Sequence, residues 1–170
     1  MSFLEIRRHS IQGFGGSLSQ EGVELARKAG EQTGPFSLVL TSPIPRAQET
    51  ALAMGFAIHS TEEWLGFLPD DLQWSLDYRS GFSAFYKAFQ ENSSFQKQAQ
   101  IYKDRIQACI QSLDSSQNAL IVSHGGTVEM LAIACANNTD FQSWNFAVSQ
   151  MQGVRIEWNE HGFQSAVFLE

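Results

Sequence analysis

The sequence predicts an α/β fold, a three-layer sandwich in which a mostly parallel central sheet with antiparallel edge strands carries helices on both faces. Short apolar segments of strand length alternate with amphipathic segments of helix length through most of the 170 residues, a pattern typical of parallel strands connected by helices. Near the C-terminus two strand-like segments flank a tight turn, which predicts an antiparallel hairpin at the sheet edge. The length favours one domain spanning residues 1–170.

The first third of the chain predicts three strands and two helices. Ser19 is suited to cap a helix that runs to about residue 34. Pro45 fits the first turn of a second helix ending near residue 55, because the first N–H groups of a helix have no intrahelical partner. The strands are predicted at residues 3–6, 38–40 and 56–59.

A long loop at residues 61–80 follows, and long loops in compact domains are often functional lids. Together with the residues up to about 95 it predicts a small cap or insertion, the segment at about 61–95. Its large apolar side chains either line an apolar entrance or pack the cap; they are Trp64, Phe67, Leu68 and Trp74.

The second half of the chain predicts three helices and three strands. Amphipathic spacing favours helices at residues 82–89 and 95–113. An apolar strand and an apolar helix are expected at 119–122 and 127–136. The final hairpin is expected to pair residues 154–158 with residues 163–169.

The composition excludes several classes of partner. A net charge of −7 argues against general binding to nucleic acid or to a membrane surface, since both favour a basic footprint.

Cys109 and Cys135 lie in apolar, helix-like surroundings, so we expect buried free thiols and a reducing, cytoplasmic location. The N-terminus lacks the pattern of a signal peptide, and no apolar run has the length of a membrane span.

Three segments place polar groups directly after predicted strands. They are residues 6–10 (Ile-Arg-Arg-His-Ser), 41–46 (Thr-Ser-Pro-Ile-Pro-Arg) and 122–126 (Val-Ser-His-Gly-Gly). Open α/β sheets build their sites at the carboxyl ends of parallel strands. We therefore expect two histidines and two arginines to converge from distant parts of the chain.

Arg8 and His9 follow a strand that is predicted to be buried on both faces. A guanidinium offers a forked pair of donors that matches phosphate oxygens, and an imidazole can act as a nucleophile or a base. Nearby guanidinium charges disfavour a protonated imidazole, so His9 is expected to be neutral near pH 7. The alternative is that these charged residues only mark the exit of the strand into solvent.

Arg46 and His124 lie at the starts of two later helices. Arg46 falls in a first helical turn, where free N–H groups and the helix dipole attract anions. His124 precedes Gly125 and Gly126, which permit close approach of the backbone to a ligand. The alternatives are an exposed arginine that pairs with Glu49 and a histidine of the core.

In combination these segments resemble the signatures of the histidine phosphatase superfamily, also called the phosphoglycerate-mutase-like family. The family's Arg-His-Gly signature is similar to residues 8–10, and its Leu-Thr-x-x-Gly element is similar to residues 18–22. Its Ser-x-x-x-Arg-Ala-x-x-Thr-Ala element is reproduced at residues 42–51, and its Ser-His-Gly-Gly element at residues 123–126. The four elements occur in the family's order over about residues 3–135.

The resemblance implies a mechanism and a set of site residues. His9 would attack phosphorus and form a phosphohistidine, which water then hydrolyses. Arg8, Arg46 and His124 would hold the phosphoryl oxygens and stabilise charge in the transition state, with the backbone at Gly125 as a further phosphate contact. The fixed positive groups supply the electrostatic stabilisation, so the resemblance implies no metal and no cofactor.

Many members of the family protonate the leaving oxygen with a carboxylic acid. Glu62 and Glu63 are the candidates here, and the spacing to Gly66 favours Glu62. A carboxyl group buried beside Trp64 would have a raised pKa and could act as an acid near neutral pH. Adjacent glutamates in a loop are otherwise usually solvated, and the small phosphohistidine phosphatases of the superfamily lack such an acid.

Two departures from the family pattern bear on function. Ser10 stands where the family usually has Gly after the catalytic histidine, and its hydroxyl is expected to donate to a phosphate oxygen. Gly15 replaces the mutases' Asn six residues past the histidine. The chain is also short for a mutase, and these features argue against mutase activity.

The predicted function is hydrolysis of phosphomonoesters or phosphohistidine through a covalent phosphohistidine intermediate. The partner is a phosphorylated small molecule or a phosphoprotein. A catalytically weak phosphate-binding module of the same fold is the alternative. An esterase would need a Gly-x-Ser-x-Gly elbow, which the sequence lacks. Substrate identity and oligomeric state are not defined by the sequence.

Overall fold

The computed structural model describes residues 2–136 and 138–170, and in this part of the chain six strands form one mixed sheet. The strands are β1 (Ser2–Arg8), β2 (Leu38–Thr41), β3 (Ser60–Thr61), β4 (Ala119–Ser123), β5 (Gly153–Asn159) and β6 (Gly162–Leu169). Their order is β3–β2–β4–β1–β5–β6. β1 to β4 run parallel, whereas β5 is antiparallel to both β1 and β6. The predicted mostly parallel sheet with an antiparallel edge is confirmed.

Helices cover both faces of the sheet, as predicted. They are α1 (Gln20–Gly30), α2 (Pro45–Ala53), α3 (Asp70–Gln73), α4 (Gly81–Glu91), α5 (Ser93–Ile110) and α6 (Thr127–Cys135). Side chains alternate between the faces of a strand. In β4, Leu120 and Val122 pack on one side with residues of α1 and α2, while Ala119 and Ile121 pack on the other with α4, α5 and α6.

Three predicted elements differ from those observed. The third strand lies at Ser60–Thr61 rather than at 56–59, because only these two residues pair with β2. α1 ends at Gly30, four residues before the predicted end. The loop at 61–80 contains α3 and two short 3-10 turns at Glu63–Leu65 and Tyr78–Ser80.

Both cysteines are free, as expected, but only one of them is fully buried. Cys109 and Cys135 are both free; Cys135 is buried and Cys109 is half-buried. Across residues 2–136 and 138–170, every helix is too short or too polar to cross a membrane.

The sheet order brings the three predicted polar segments together. β2, β4 and β1 are neighbours and parallel, so their carboxyl ends lie along one edge. Thr41 pairs with Val122 and Arg8 with Ser123. The residues that follow these strands therefore meet at the same place.

Candidate active site

The two histidines and two arginines singled out from the sequence line one cavity of about 330 Å³. The imidazole rings of His9 and His124 have their centroids 5.0 Å apart. The N–H of His9 donates to the carbonyl of Ser123 at 2.9 Å, which ties the end of β1 to the end of β4. Arg8 and Arg46 complete the polar wall of the cavity.

The hydrogen bonds of His9 define which ring nitrogen carries the proton. Nδ1 lies 2.7 Å from the carbonyl oxygen of Ser10, and a carbonyl can only accept, so Nδ1 holds the hydrogen. Nε2 then presents its lone pair. Nε of Arg46 donates to that Nε2 at 3.0 Å. The nitrogen with nucleophilic character is thus the one that faces the cationic wall.

His124 has the opposite arrangement. Its Nδ1 lies 3.3 Å from Nη2 of Arg46, and a guanidinium can only donate, so Nδ1 accepts and Nε2 carries the hydrogen. Nε2 lies 2.7 Å from Oγ of Ser42, which also accepts the N–H of Ile44 at 3.1 Å. Arg46 therefore bridges both imidazoles through different nitrogens.

Burial keeps both imidazoles neutral near pH 7. Burial is the main cause that lowers the pKa of His9 to about 4; the bond to Ser10 opposes it, and the charges of Arg46 and Arg8 add to it. Burial likewise lowers the pKa of His124 to about 3, with further contributions from His9 and both arginines. The net charge of the four side chains at neutral pH is then that of the two guanidinium groups.

Arg8 is held in place from the loop that precedes β5. Its Nη1 donates to the carbonyl of Val148 at 2.8 Å, and its Nε is buried with no hydrogen-bond partner. The ring of Tyr78 lies 5.8 Å from its Cζ. A buried donor without a hydrogen-bond partner is uncommon in proteins.

Glu129, which the sequence analysis missed, connects the Arg8 anchor to the turn after His124. Its fully buried carboxylate accepts the N–H of Val148 at 3.0 Å and the N–H of Gly126 at 2.7 Å. Burial raises its pKa, and these N–H bonds oppose that rise. The sequence signal that could have identified Glu129 is a single acidic residue within the apolar segment that forms α6.

The glycines after His124 are needed where the backbone approaches the cavity. A Cβ at Gly125 would lie 3.2 Å from the ring of Tyr78 and 3.5 Å from the guanidinium of Arg8. Gly126 has φ of +85°, a left-handed conformation that favours glycine. The turn therefore brings the N-terminus of α6 to the cavity that Gly125 and Gly126 line.

The structure does not bring Ser10 to the cavity, contrary to the expected phosphate contact. Its side chain is fully buried, and its hydroxyl donates to the carbonyl of Gly22 at 2.7 Å. Its backbone N–H donates to Oγ1 of Thr50 at 2.9 Å. Ser10 thus ties the end of β1 to α1 and α2. It does so with a negative φ, so the replacement of Gly causes no strain here.

The structure also separates the predicted acid from the cavity. Oε1 of Glu62 accepts from Oγ of Ser60 at 2.6 Å, and its Oε2 accepts from Nε1 of Trp64 at 3.0 Å. The charge of Glu62 acts on Cys109 of α5, where with burial it raises the thiol pKa. Glu63 is exposed in the 3-10 turn. Neither carboxylate lines the cavity.

The outer wall of the cavity comes mainly from the loop that was predicted as a lid. Phe67 and Leu68 line the cavity, as in the alternative of an apolar entrance. Trp64 instead packs near Tyr102, and Trp74 is exposed. The further lining residues, which the sequence did not indicate, are Gln12, Gln73, Leu76, Tyr78, Phe85 and Gln150.

A second cavity, of about 660 Å³, lies between α5 and the β5–β6 hairpin. Its charged lining residues are Asp104 and Glu160, and no described Lys or Arg lines it. An acidic wall repels phosphate, whereas the smaller cavity has two arginines and no described carboxylate in its lining. Among residues 2–136 and 138–170, no three His, Cys, Asp or Glu side chains are grouped to hold a metal ion.

The chain matches one protein family and the fold of several solved structures. The family model of the histidine phosphatase superfamily (branch 1) matches residues 7–169. Phosphoserine phosphatase from Entamoeba histolytica, crystallised with 3-phosphoglyceric acid, is 16% identical with a TM-score of 0.68, over 100% of this chain and 96% of that one. No curated protein sequence matches the chain.

Two further solved structures share the fold. The alpha-ribazole phosphatase from Shigella flexneri is 24% identical with a TM-score of 0.63, over 99% of this chain and 96% of its own. The protein histidine phosphatase SixA, complexed with tungstate, is 14% identical with a TM-score of 0.60, over 99% and 94%. The family match covers nearly the whole sequence, and the chain therefore belongs to the histidine phosphatase superfamily.

Proposed function

We propose that this protein is a phosphatase that hydrolyses phosphomonoesters or phosphohistidine through a phosphohistidine formed on His9. The observation that carries the proposal is the lone pair of His9 Nε2, buried in a cavity with two guanidinium groups and no described carboxylate in its lining. Membership of the superfamily supports phosphate as the group acted on.

In the first step Nε2 of His9 attacks phosphorus, and the bond to the leaving group breaks. Arg46, which donates to that nitrogen at 3.0 Å, turns to the phosphoryl oxygens, because anionic oxygens are stronger acceptors than a neutral imidazole. Arg8, which also lines the cavity, supplies the second guanidinium to the same oxygens. Water then attacks the phosphohistidine and releases inorganic phosphate.

His124 and Gly125 complete the proposed phosphate site. His124 lies beside His9 and is bonded to Nη2 of Arg46, and a bound dianion would favour its protonated, donating form. Gly125 brings the start of α6 to the cavity. Two guanidinium groups already supply the transition-state charge, so the proposed mechanism includes no metal ion or cofactor.

The segment at about 61–95 is proposed to act as a cap within a single domain of residues 1–170. Phe67, Leu68 and Tyr78 of this segment line the cavity, which supports a role in admitting the substrate, a phosphorylated small molecule or a phosphoprotein.

A catalytically weak phosphate-binding module is the second candidate. The bond from Arg46 to Nε2 occupies the lone pair that would attack, and the predicted acid lies outside the cavity. A ligand that failed to displace Arg46 would be bound without being hydrolysed.

Rapid-quench labelling during turnover of 4-nitrophenyl phosphate separates the two. We expect acid-labile, alkali-stable phosphate on His9, with hydrolysis abolished in His9→Ala and retained in His161→Ala, a change of an exposed turn histidine. Hydrolysis with the label elsewhere, or with none trapped, would contradict the covalent step. Binding of inorganic phosphate without hydrolysis would identify the binding module.

A further inference from the structure

We propose that the substrate is an aryl phosphate whose leaving group is an uncharged aromatic ring. This inference rests on the proposed phosphatase function and narrows its substrate class. It follows from three properties of the same cavity: the charge of its outer wall, the shape and chemistry of that wall, and the absence of a described carboxyl group that could protonate the leaving oxygen.

The outer wall of the cavity is electrically neutral. Beyond Arg8, Arg46 and the two neutral histidines, the described lining contains only amides, apolar side chains and a tyrosine, the amides being Gln12, Gln73 and Gln150. A phosphoryl dianion uses both guanidinium groups. A carboxylate on the leaving group, as in phosphoserine or phosphoglycerate, would then be buried without a cationic partner, which is costly.

Arg79 does not add a positive charge to the outer wall of the cavity. Arg79 follows Tyr78 in the chain, but it is not among the lining residues. Its side chain is 76% exposed and is paired with Asp77 at 3.2 Å. A carboxylate that recruited Arg79 would have to displace Asp77 and would gain only a solvent-screened contact.

The apolar part of the wall suits one ring next to the phosphate position. The ring of Phe67 lies 5.1 Å from that of His124 and 5.9 Å from Cζ of Arg46, and Tyr78 lies beside Arg8. Leu76 and Phe85 add aliphatic and aromatic surface. At about 330 Å³ the cavity is near the lower end of ligand pockets, roughly 300–1,000 Å³, which matches a phosphate with a single ring.

The absence of a carboxylic acid in the cavity disfavours an alkoxide leaving group. Glu62 is engaged by Ser60 and Trp64, and no described carboxyl group lines the cavity. An alkoxide leaves poorly without a proton, whereas a phenolate leaves as the anion. The bond from Nε2 of His9 to phosphorus forms while the P–O(aryl) bond breaks, its electron pair stays on the phenolate, and solvent supplies the proton.

Hydrolysis of the intermediate closes the cycle without a further reactant. Water attacks phosphorus, the N–P bond breaks with its electron pair returned to Nε2 of His9, and the proton of water passes to solvent. The enzyme returns to the neutral imidazole seen in the structure.

Two matched pairs of substrates test the proposal, and kcat/KM is compared within each pair. We expect kcat/KM for 4-carbamoylphenyl phosphate to be at least about tenfold higher than for 4-carboxyphenyl phosphate, which carries one more negative charge. We expect phenyl phosphate to react about 10³-fold faster than cyclohexyl phosphate, a ring of similar size with an alkoxide leaving group, on the scale of a missing general acid.

A charge-introducing variant tests the wall directly. Gln73→Arg is expected to raise kcat/KM for the carboxyphenyl ester about tenfold relative to the carbamoyl ester. Gln111→Arg, an equivalent change at an exposed position just past α5, is expected to leave that ratio unchanged.

The outcomes separate this inference from the function on which it rests. Equal rates within either substrate pair, with phosphohistidine still trapped on His9, would overturn the inference and leave the phosphatase intact. Efficient turnover of phosphoserine or 3-phosphoglycerate would do the same. No hydrolysis of any ester, including 4-nitrophenyl phosphate, would overturn both.

Discussion

Two buried polar clusters lie along β1 and differ in how their charges are balanced. In the first, the fully buried Glu5 accepts from Nε of Arg7 at 2.8 Å, Oγ1 of Thr33 at 2.7 Å and Nε of Arg155 at 3.1 Å. Burial raises the pKa of Glu5, but Arg7 and the hydrogen bonds outweigh burial and lower it. This cluster is closed, because each charge has a partner.

The second cluster, a few residues further along the chain, has the opposite character. Arg8 and Arg46 lie with His9 and His124 around a cavity whose described lining contains no carboxylate. Each guanidinium lies near the other, and burial with the charge of Arg8 lowers the pKa of Arg46. Paired buried charges thus hold the fold, whereas partly buried cations without a carboxylate partner create a place for an anion.

Adjacent arginines belong to different clusters because strand side chains alternate between faces. Arg7 points to Glu5 and donates from Nη1 to the carbonyl of Met151 at 2.8 Å. Arg8 points to the cavity. The Arg-Arg pair in the sequence is thus one structural residue followed by one site residue.

The largest expected effect is on the closed cluster. Glu5→Ala leaves Arg7 buried without its carboxylate, and removal of one partner of a buried pair costs about 3–5 kcal/mol of unfolding free energy. Urea denaturation measures this, and kcat of the folded fraction should be unchanged.

Glu31→Ala provides the control for Glu5→Ala. Glu31 pairs with Arg27 at 3.2 Å, and both side chains are more than 60% exposed, so the change should be much smaller. A stability loss no greater for Glu5→Ala than for Glu31→Ala would show that the Glu5 cluster does not hold the fold.

The second effect is on the open cluster, where we expect kcat to fall while the unfolding free energy changes little. Arg46→Ala removes a preorganised donor from the proposed transition state, and we expect kcat for 4-nitrophenyl phosphate to fall about 10²–10³-fold. Unfolding free energy should change little or rise, since the charge of Arg46 is not balanced in the lining.

Arg27→Ala, an exposed arginine of α1, is the matched control for the kinetics. A near-normal rate in Arg46→Ala would remove this residue from the proposed mechanism.

The third effect is the pH dependence of the open cluster, which is small near pH 7 and grows in acid. His9 and His124 have pKa values of about 4 and about 3 when folded, below the value of about 6.5 expected for an unfolded chain. The unfolded state therefore binds more protons below pH 6.5, and stability falls as the pH drops from 7 towards 4. By pH 4 we expect a loss of about 3 kcal/mol per histidine, at about 1.4 kcal/mol for each unit by which the pKa is lowered.

The double variant His9→Gln, His124→Gln isolates this contribution. Glu129, whose pKa is raised by burial, changes stability in the opposite direction with pH, and the lowered pKa of Glu5 adds to the loss in acid. Both are common to the two proteins, so the difference between their denaturation curves reports the histidines. Parallel pH profiles for the two proteins would contradict neutral, buried imidazoles.

Much of the fold and part of the candidate site could be predicted from local patterns. The apolar runs of β1, β2 and β4 and the polar residues after them predicted the convergence of His9, Arg46 and His124, because parallel neighbours end at one edge. The edge hairpin followed from alternation and a turn. The position of β3 did not, because its two residues are selected by pairing with Leu40 and Thr41.

Side-chain partners were the part that local patterns did not predict. Ser10 and Glu62 occupy positions that suggested phosphate and proton chemistry, yet each hydroxyl or carboxylate is engaged by groups outside the cavity. Glu129 gave only a weak signal, since one acid in an apolar helix does not indicate which N–H groups it will accept.

The sequence by itself determined the α/β class, the resemblance to the superfamily and the four cationic or imidazole side chains of the site, because strand ends and their order are encoded in short apolar segments. The tertiary structure alone decided the tautomers of His9 and His124, the role of Glu129 and the neutral outer wall. Most of these features depend on contacts between residues far apart in the sequence, such as Arg46 with His124, 78 positions away, and Arg8 with Val148, 140 positions away, and no local pattern carries that information.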